Sequence, residues 1–91
     1  MRYSLLQKHR ECLICKTPLG LHEHHVFDGR NRQNSDKWGM TVWLCQRHHT
    51  GEEGIHLNEK QSFKLKAAAQ RVFERKYGHD KFMEVFRRNY L

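Results

Sequence analysis

Five of the eight histidines and one of the three cysteines fall in two short segments, His22-Glu23-His24-His25 and Cys45-Gln46-Arg47-His48-His49. Adjacent histidines on one strand project to opposite sides, so one can hold a metal while its neighbour acts as a base. The second segment brings further ligands to the same place. Cys12-Leu13-Ile14-Cys15 is a C-x2-C turn, and Cys45-Gln46-Arg47-His48 answers it as C-x2-H after 29 intervening residues. Cys12, Cys15, Cys45 and His48 thus supply four soft or borderline ligands from two turns, the set that suits tetrahedral zinc. Buried cysteines can also serve as small apolar fillers, but here every cysteine of the chain belongs to the set.

These groups need elements to position them. Leu21–Phe27 reads as a strand, and Met40–Leu44 as a second strand that runs straight into Cys45. Asp28–Gly39 opens on the turn signal Asp28-Gly29 and has no apolar residue before Trp38. It is predicted to be a loop of roughly a dozen residues, long enough to suspect function. Thr50–Gly54 carries two glycines and cannot continue a stable helix, and His56 lies just beyond it. Asn58 is a good N-cap with Gln61 as its capping-box partner, and the helix it opens is predicted to run to Tyr77 and end at Gly78. On a helical wheel Leu65, Ala69, Val72, Phe73 and Tyr77 form one apolar stripe, with Lys76 snorkelling beside them. Lys60, Lys64, Arg71 and Arg75 gather on the far side, either as a solvated face or facing phosphate. Asp80 is expected to cap a last short helix in which Phe82, Val85 and Phe86 share a face. Tyr90 and Leu91 read as packing residues. At the other end, Tyr3–Arg10 reads as a short helix or ordered arm anchored by Leu5 and Leu6.

Composition limits what such a chain can be. Its 91 residues make one small domain, and with 37% of them hydrophobic an apolar core alone would be marginal, a deficit that a structural metal would make good. Three cysteines cannot close into disulfides without a remainder, so a reducing cytoplasm with cysteines as metal ligands fits best. The N-terminal stretch has no apolar run of the signal-peptide kind, and no membrane span is expected. Seventeen Lys and Arg against ten Asp and Glu give a net charge of +7, which points to a polyanionic partner, nucleic acid in the first place.

The order of parts resembles the HNH endonucleases. In this chain the parts run from C-x2-C, through a strand ending in His24-His25 and a loop with asparagines, to a strand ending in Cys45 and then His48-His49. More closely, the chain is similar to the small phage-type HNH proteins with a zinc-binding knuckle, over about Cys12 to His56 and more loosely in the C-terminal helices. The resemblance implies a small α+β domain with the ββα-metal motif, a core at about 12–56 and a helical part at about 58–91. It implies metal-dependent hydrolysis of DNA phosphodiester bonds inside a phage-infected or bacterial cell. By that resemblance His24 takes the metal, His25 is the general base, His49 is a metal ligand, and His56 completes a three-histidine site as in the colicin-type members. The catalytic ion would be Mg2+ or another divalent cation beside the structural Zn2+. The family's asparagine usually lies a few residues before the second-strand cysteine, where this chain has Met40 and Thr41. The candidates move upstream to Asn31 and Asn34, of which Asn31 looks closer to the phage-type members. Arg30, Arg32 and Lys37 in the same stretch could contact phosphate or merely be hydrated.

The chemistry is consistent with the residues themselves. Phosphodiester hydrolysis needs an activated water and charge neutralisation on the phosphate and the leaving oxygen, and a histidine of near-neutral pKa can take the proton from that water. His22 shares strand parity with His24 and could assist, although such a residue more often faces solvent. A single active site cuts both strands only as a dimer or in two visits. Two rival classes remain: a zinc-stabilised nucleic-acid-binding module without chemistry, and a zinc-stabilised adaptor for proteins.

Overall fold

The computed structural model describes residues 4–91, so Tyr3 of the expected N-terminal helix lies outside the described residues. The element order is β1 (Leu21–His25), α1 (Arg32–Trp38), β2 (Thr41–Cys45), α2 (Gln46–His49), α3 (Glu59–Tyr77) and α4 (His79–Phe86), with 3-10 turns at Gly29–Asn31 and Ile55–Leu57. β1 and β2 form a two-stranded antiparallel sheet in which Leu21 faces Cys45 and His25 faces Thr41. The molecule is a small α+β structure, and both strands are shorter or shifted by a residue or two relative to the sequence reading.

An isolated hairpin of this length is marginal in water, and neighbouring segments of the chain support it. The stretch before Cys12 is not a helix. Ser4 accepts backbone hydrogen bonds from Leu6 and Gln7 and donates to the Thr41 carbonyl at 2.6 Å. Gln7 accepts from the Trp43 backbone at 2.8 Å, and the Leu13 amide donates to the Trp43 carbonyl. This ordered arm therefore occupies the outer edge of β2, whose backbone groups would otherwise stand unpaired.

Asp28–Gly39 is not a loop. It holds a 3-10 turn and then α1, which ends at Gly39 in the left-handed conformation (φ 72°), a backbone state glycine adopts without strain. The helix lacks an apolar stripe because it docks through a hydroxyl and one indole. Ser35 is fully buried, accepting from the Phe27 amide at 3.1 Å and donating to the Phe27 carbonyl at 2.6 Å. Trp38 lies against Phe73 and Tyr77 of α3, with ring centroids 5.6 and 5.0 Å apart.

α3 opens as the sequence predicts, Asn58 accepting from the Gln61 amide at 3.0 Å. Its buried face, however, is Ala67, Ala69, Gln70 and Phe73, while Leu65 and Val72 are half-buried. Leu65 and Tyr77 still pack against the core as the stripe predicts, and the buried face widens to Gln70, whose amide bonds both Asn89 and the Tyr90 backbone at 2.7 Å. α4 is capped by Gly78 rather than Asp80, which lies inside its first turn. Phe82 and Phe86 of α4 close on Phe27 and Phe73, with centroids 4.5 to 5.7 Å apart, to form the apolar centre.

Ser35→Ala leaves both polar groups of Phe27 buried without a partner, so it should cost about 1–3 kcal/mol in a denaturant melt. A change below about 0.5 kcal/mol, the range of an ordinary surface substitution, would show that α1 is not held by this hydroxyl.

Candidate metal centres

β2 delivers Cys45 at its end, and α2 begins with the next residue. Successive residues of a helix are turned by about 100°, so His48 and His49 leave this short turn in different directions. His48 meets the Cys12–Cys15 turn. Cys12 Sγ lies 3.7 Å and Cys45 Sγ 3.2 Å from His48 Nδ1, and Cys15 Sγ is 3.7 Å from Cys45 Sγ. All four ligand atoms lie within 4.8 Å of one another. An ion with sulfur at about 2.3 Å and nitrogen at about 2.0–2.1 Å in a tetrahedron sets its ligand atoms roughly 3.3–3.8 Å apart, so the donor set fits one metal ion. The three cysteines are free thiols.

The second nitrogen of His48 lies 3.4 Å from Glu53, which Arg47 holds at 2.9 Å. The Arg47 hydrogen bond keeps the Glu53 carboxyl below its ordinary range, so it is ionised and fixes which nitrogen of His48 faces the sulfurs. For Cys12, burial opposes ionisation, but backbone hydrogen bonds around the turn outweigh it and bring the thiol down to about 6. Cys15 is held above its ordinary value. The Thr17 backbone favours its thiolate, but burial and the neighbouring Cys12 and Cys45 oppose it more strongly. Three thiolates crowded together repel, and a bound cation removes that repulsion.

His49 turns instead to the face of β1 that carries His24. His24, His49 and His56 offer nitrogens within 4.8 Å of one another, with His49 Nε2 and His56 Nε2 2.9 Å apart. His56 reaches this place because Gly54 presses on α2: a Cβ there would stand 2.5 Å from the His49 carbonyl oxygen. Burial, then the neighbouring His49 and His56, push His24 down to about 4. Burial and the facing His56 and His22 likewise lower His49. Both are therefore neutral at neutral pH, the form in which imidazole binds a metal. Three imidazoles suit borderline ions such as zinc, nickel or iron better than magnesium. As a three-ligand set they leave coordination positions open, whereas the Cys12, Cys15, Cys45 and His48 set is closed.

The strand alternation separates the other histidines. His22, on the His24 face, places Nδ1 3.1 Å from His49 Nδ1, an approach that its shared parity with His24 does not by itself reveal. His25 lies on the opposite face with its side chain 10% exposed, its Nε2 2.8 Å from Asp36 and 3.2 Å from Glu23. No hydrogen bond or ring contact among the described residues joins His25 to the three imidazoles. Asp36 was missed because it lies on α1, where the sequence suggested a loop. Asn31 and Asn34 do not reach His25. Asn31 donates to the Phe86 carbonyl and Asn34 to the Val85 carbonyl, so the pair caps the C-terminus of α4.

Lys60, Lys64, Arg71 and Arg75 are all exposed on α3, as is Arg32 on α1. Arg30 and Lys37 line a cavity of about 630 Å3 together with Lys81 and Arg87 of the C-terminal part, a basic cluster that no single sequence segment displays. Among the described residues no helix is long and apolar enough to cross a membrane. No family model, curated protein or solved structure matches the chain.

The two clusters should behave as two sites. The protein purified without chelator should carry one tightly held ion, and His49→Ala should keep it while losing a second, exchangeable one, read by elemental analysis and competition with a metal dye. Cys45→Ala should unfold the domain, because ion binding here is largely folding energy. Loss of both ions in His49→Ala would contradict the division between His48 and His49.

Proposed function

We propose that the chain is a metal-dependent phosphodiesterase acting on DNA, in the manner of the HNH endonucleases. Cys12, Cys15, Cys45 and His48 hold a structural zinc, and His24, His49 and His56 hold an exchangeable divalent ion. The observation that carries this reading is the convergence of three imidazoles one residue along α2 from a closed Cys/His set. A purely structural domain needs only the closed set; the open one is what chemistry requires. When bound, the second ion would polarise a phosphoryl oxygen and offset charge on the leaving 3′ oxygen. Three nitrogen donors make a borderline ion a better fit there than the Mg2+ that the family resemblance allowed.

His25 is the proposed base. Asp36 and Glu23 at Nε2 favour the tautomer that leaves Nδ1 as the proton acceptor and hold the ring in place. His25 is the last residue of β1, so the scissile phosphate must be met at that strand end. His25→Ala should lower cleavage about 10²–10⁴-fold with both metals and DNA affinity retained, and added metal should not restore it. His24→Ala should respond to added metal by mass action. If His25→Ala still cuts and His22→Ala does not, the proton goes to the histidine beside His49 instead.

The net charge of +7 supports a polyanionic partner held mostly through its backbone. Contact with about five phosphates by residues such as Lys60, Lys64, Arg71, Arg75, Arg30 and Arg32 would give log K against log salt a slope of about −4 to −5. Reversing Lys64 and Arg71 to glutamate should weaken binding without changing metal content. A flat salt dependence would refute the DNA surface, and retardation without nicking in any divalent ion would leave a binding module only.

A further inference from the structure

Beside His56 the surface falls into a recess of about 370 Å3 that the basic helix face does not include. Asp28 and Glu59 line its His56 end, and Phe63, Lys66, Arg88 and Tyr90 line the rest. Glu59 and Lys66 stand seven residues apart on α3, about 10 Å along the axis, so Glu59 lies toward His56 and Lys66 lies away from it. Phe63 is 46% exposed although it lies on a well-formed helix. Its ring meets Tyr90 edge-on at 5.6 Å. Lys66 and Arg88 stand over the Tyr90 ring at 5.9 and 5.0 Å. One exposed ring, a second ring behind it and two cations thus form a single patch that opens on the candidate metal centre.

We propose that this recess binds an unpaired nucleotide next to the phosphate being cut, the base stacking on Phe63 and its flanking phosphate meeting Lys66 and Arg88. The inference rests on the nuclease reading and deepens it, because it names the substrate class as single-stranded DNA or a duplex with an unpaired segment. In a duplex the faces of the bases are stacked on each other, whereas an unpaired base offers its face to an aromatic side chain, and every base can do so without sequence preference. The cations serve the same strand, since a stacked base brings its phosphate with it, and an arginine over a ring is already placed for both partners. The acids at the other end keep the strand's phosphates away from the rim of His56 except where a divalent cation offsets their charge.

The test is fluorescence anisotropy with one labelled oligonucleotide, single-stranded and as a blunt duplex, on zinc-replete full chain. Phe63→Ala should weaken single-strand binding about 5- to 100-fold and duplex binding less than about twofold, and Phe63→Tyr should restore it. Arg88→Ala should lower the single-strand salt slope by about 0.7. Should Phe63→Ala fail to fold, as judged by loss of the tight ion, Phe63→Gln keeps the side chain's length without its ring and should show the same selective loss. Equal losses on both forms, or none, overturn the subsite. A wild-type protein that shows the single-strand preference but cuts no DNA with any divalent ion refutes the nuclease reading and leaves the subsite standing. One that cuts both forms equally, with Phe63→Ala unchanged, does the reverse.

Discussion

A single turn of helix, α2, decides how this molecule is built. It begins immediately after Cys45 and carries His48 and His49 on adjacent positions. The helical rotation between neighbours sends one imidazole into the cysteine cluster and the other onto the β1 face. The two clusters therefore share a rigid part, and the closed set holds in place the element that supplies the open one. Gly54 completes the arrangement: only a residue without a Cβ fits against the His49 carbonyl, and this close approach brings His56 within reach. A change in the cysteine turn is thus felt at the imidazoles without touching them.

The electrostatics follow from that placement. Burial and mutual repulsion keep His24 and His49 uncharged, while the Glu53 carboxylate lies behind His48. The carboxylates that do meet a histidine on the other face of β1, Asp36 and Glu23, meet His25. One strand thus carries two histidine environments, one gathered with other imidazoles and one paired with carboxylates. The apolar centre is a small aromatic cluster around Phe27, Phe73, Phe82 and Phe86, and in so short a chain such a core leaves a bound ion a large share of the stability.

What was legible in the sequence was whatever has a fixed local spacing. The C-x2-C and C-x2-H turns, the Asn58 cap and the stop at Gly78 are written in neighbouring residues, whereas the grouping of His24, His49 and His56 came only from the family resemblance. What was not legible depends on contacts between distant segments. α1 has no apolar period because Ser35 and Trp38 dock it, one by hydrogen bonds and the other by ring contacts, so its sequence looks like a loop. Gln70 is buried because Asn89 and Tyr90 fold back onto it. Asn31 and Asn34 look available for a catalytic role until α4 arrives to use them as caps. His22 shares a face with His24 by simple parity, but its approach to His49 depends on where α2 ends.

The central claim is that His48 and His49 belong to two different metal ions. Crystals grown with zinc and soaked in a second divalent metal of distinct absorption edge, manganese or nickel, would test it by anomalous scattering at both edges. The account predicts a zinc peak among Cys12, Cys15, Cys45 and His48, and a separate peak among His24, His49 and His56 that exchanges with the soaked metal. A single peak that takes both histidines as ligands, or no peak at the three imidazoles, would contradict it.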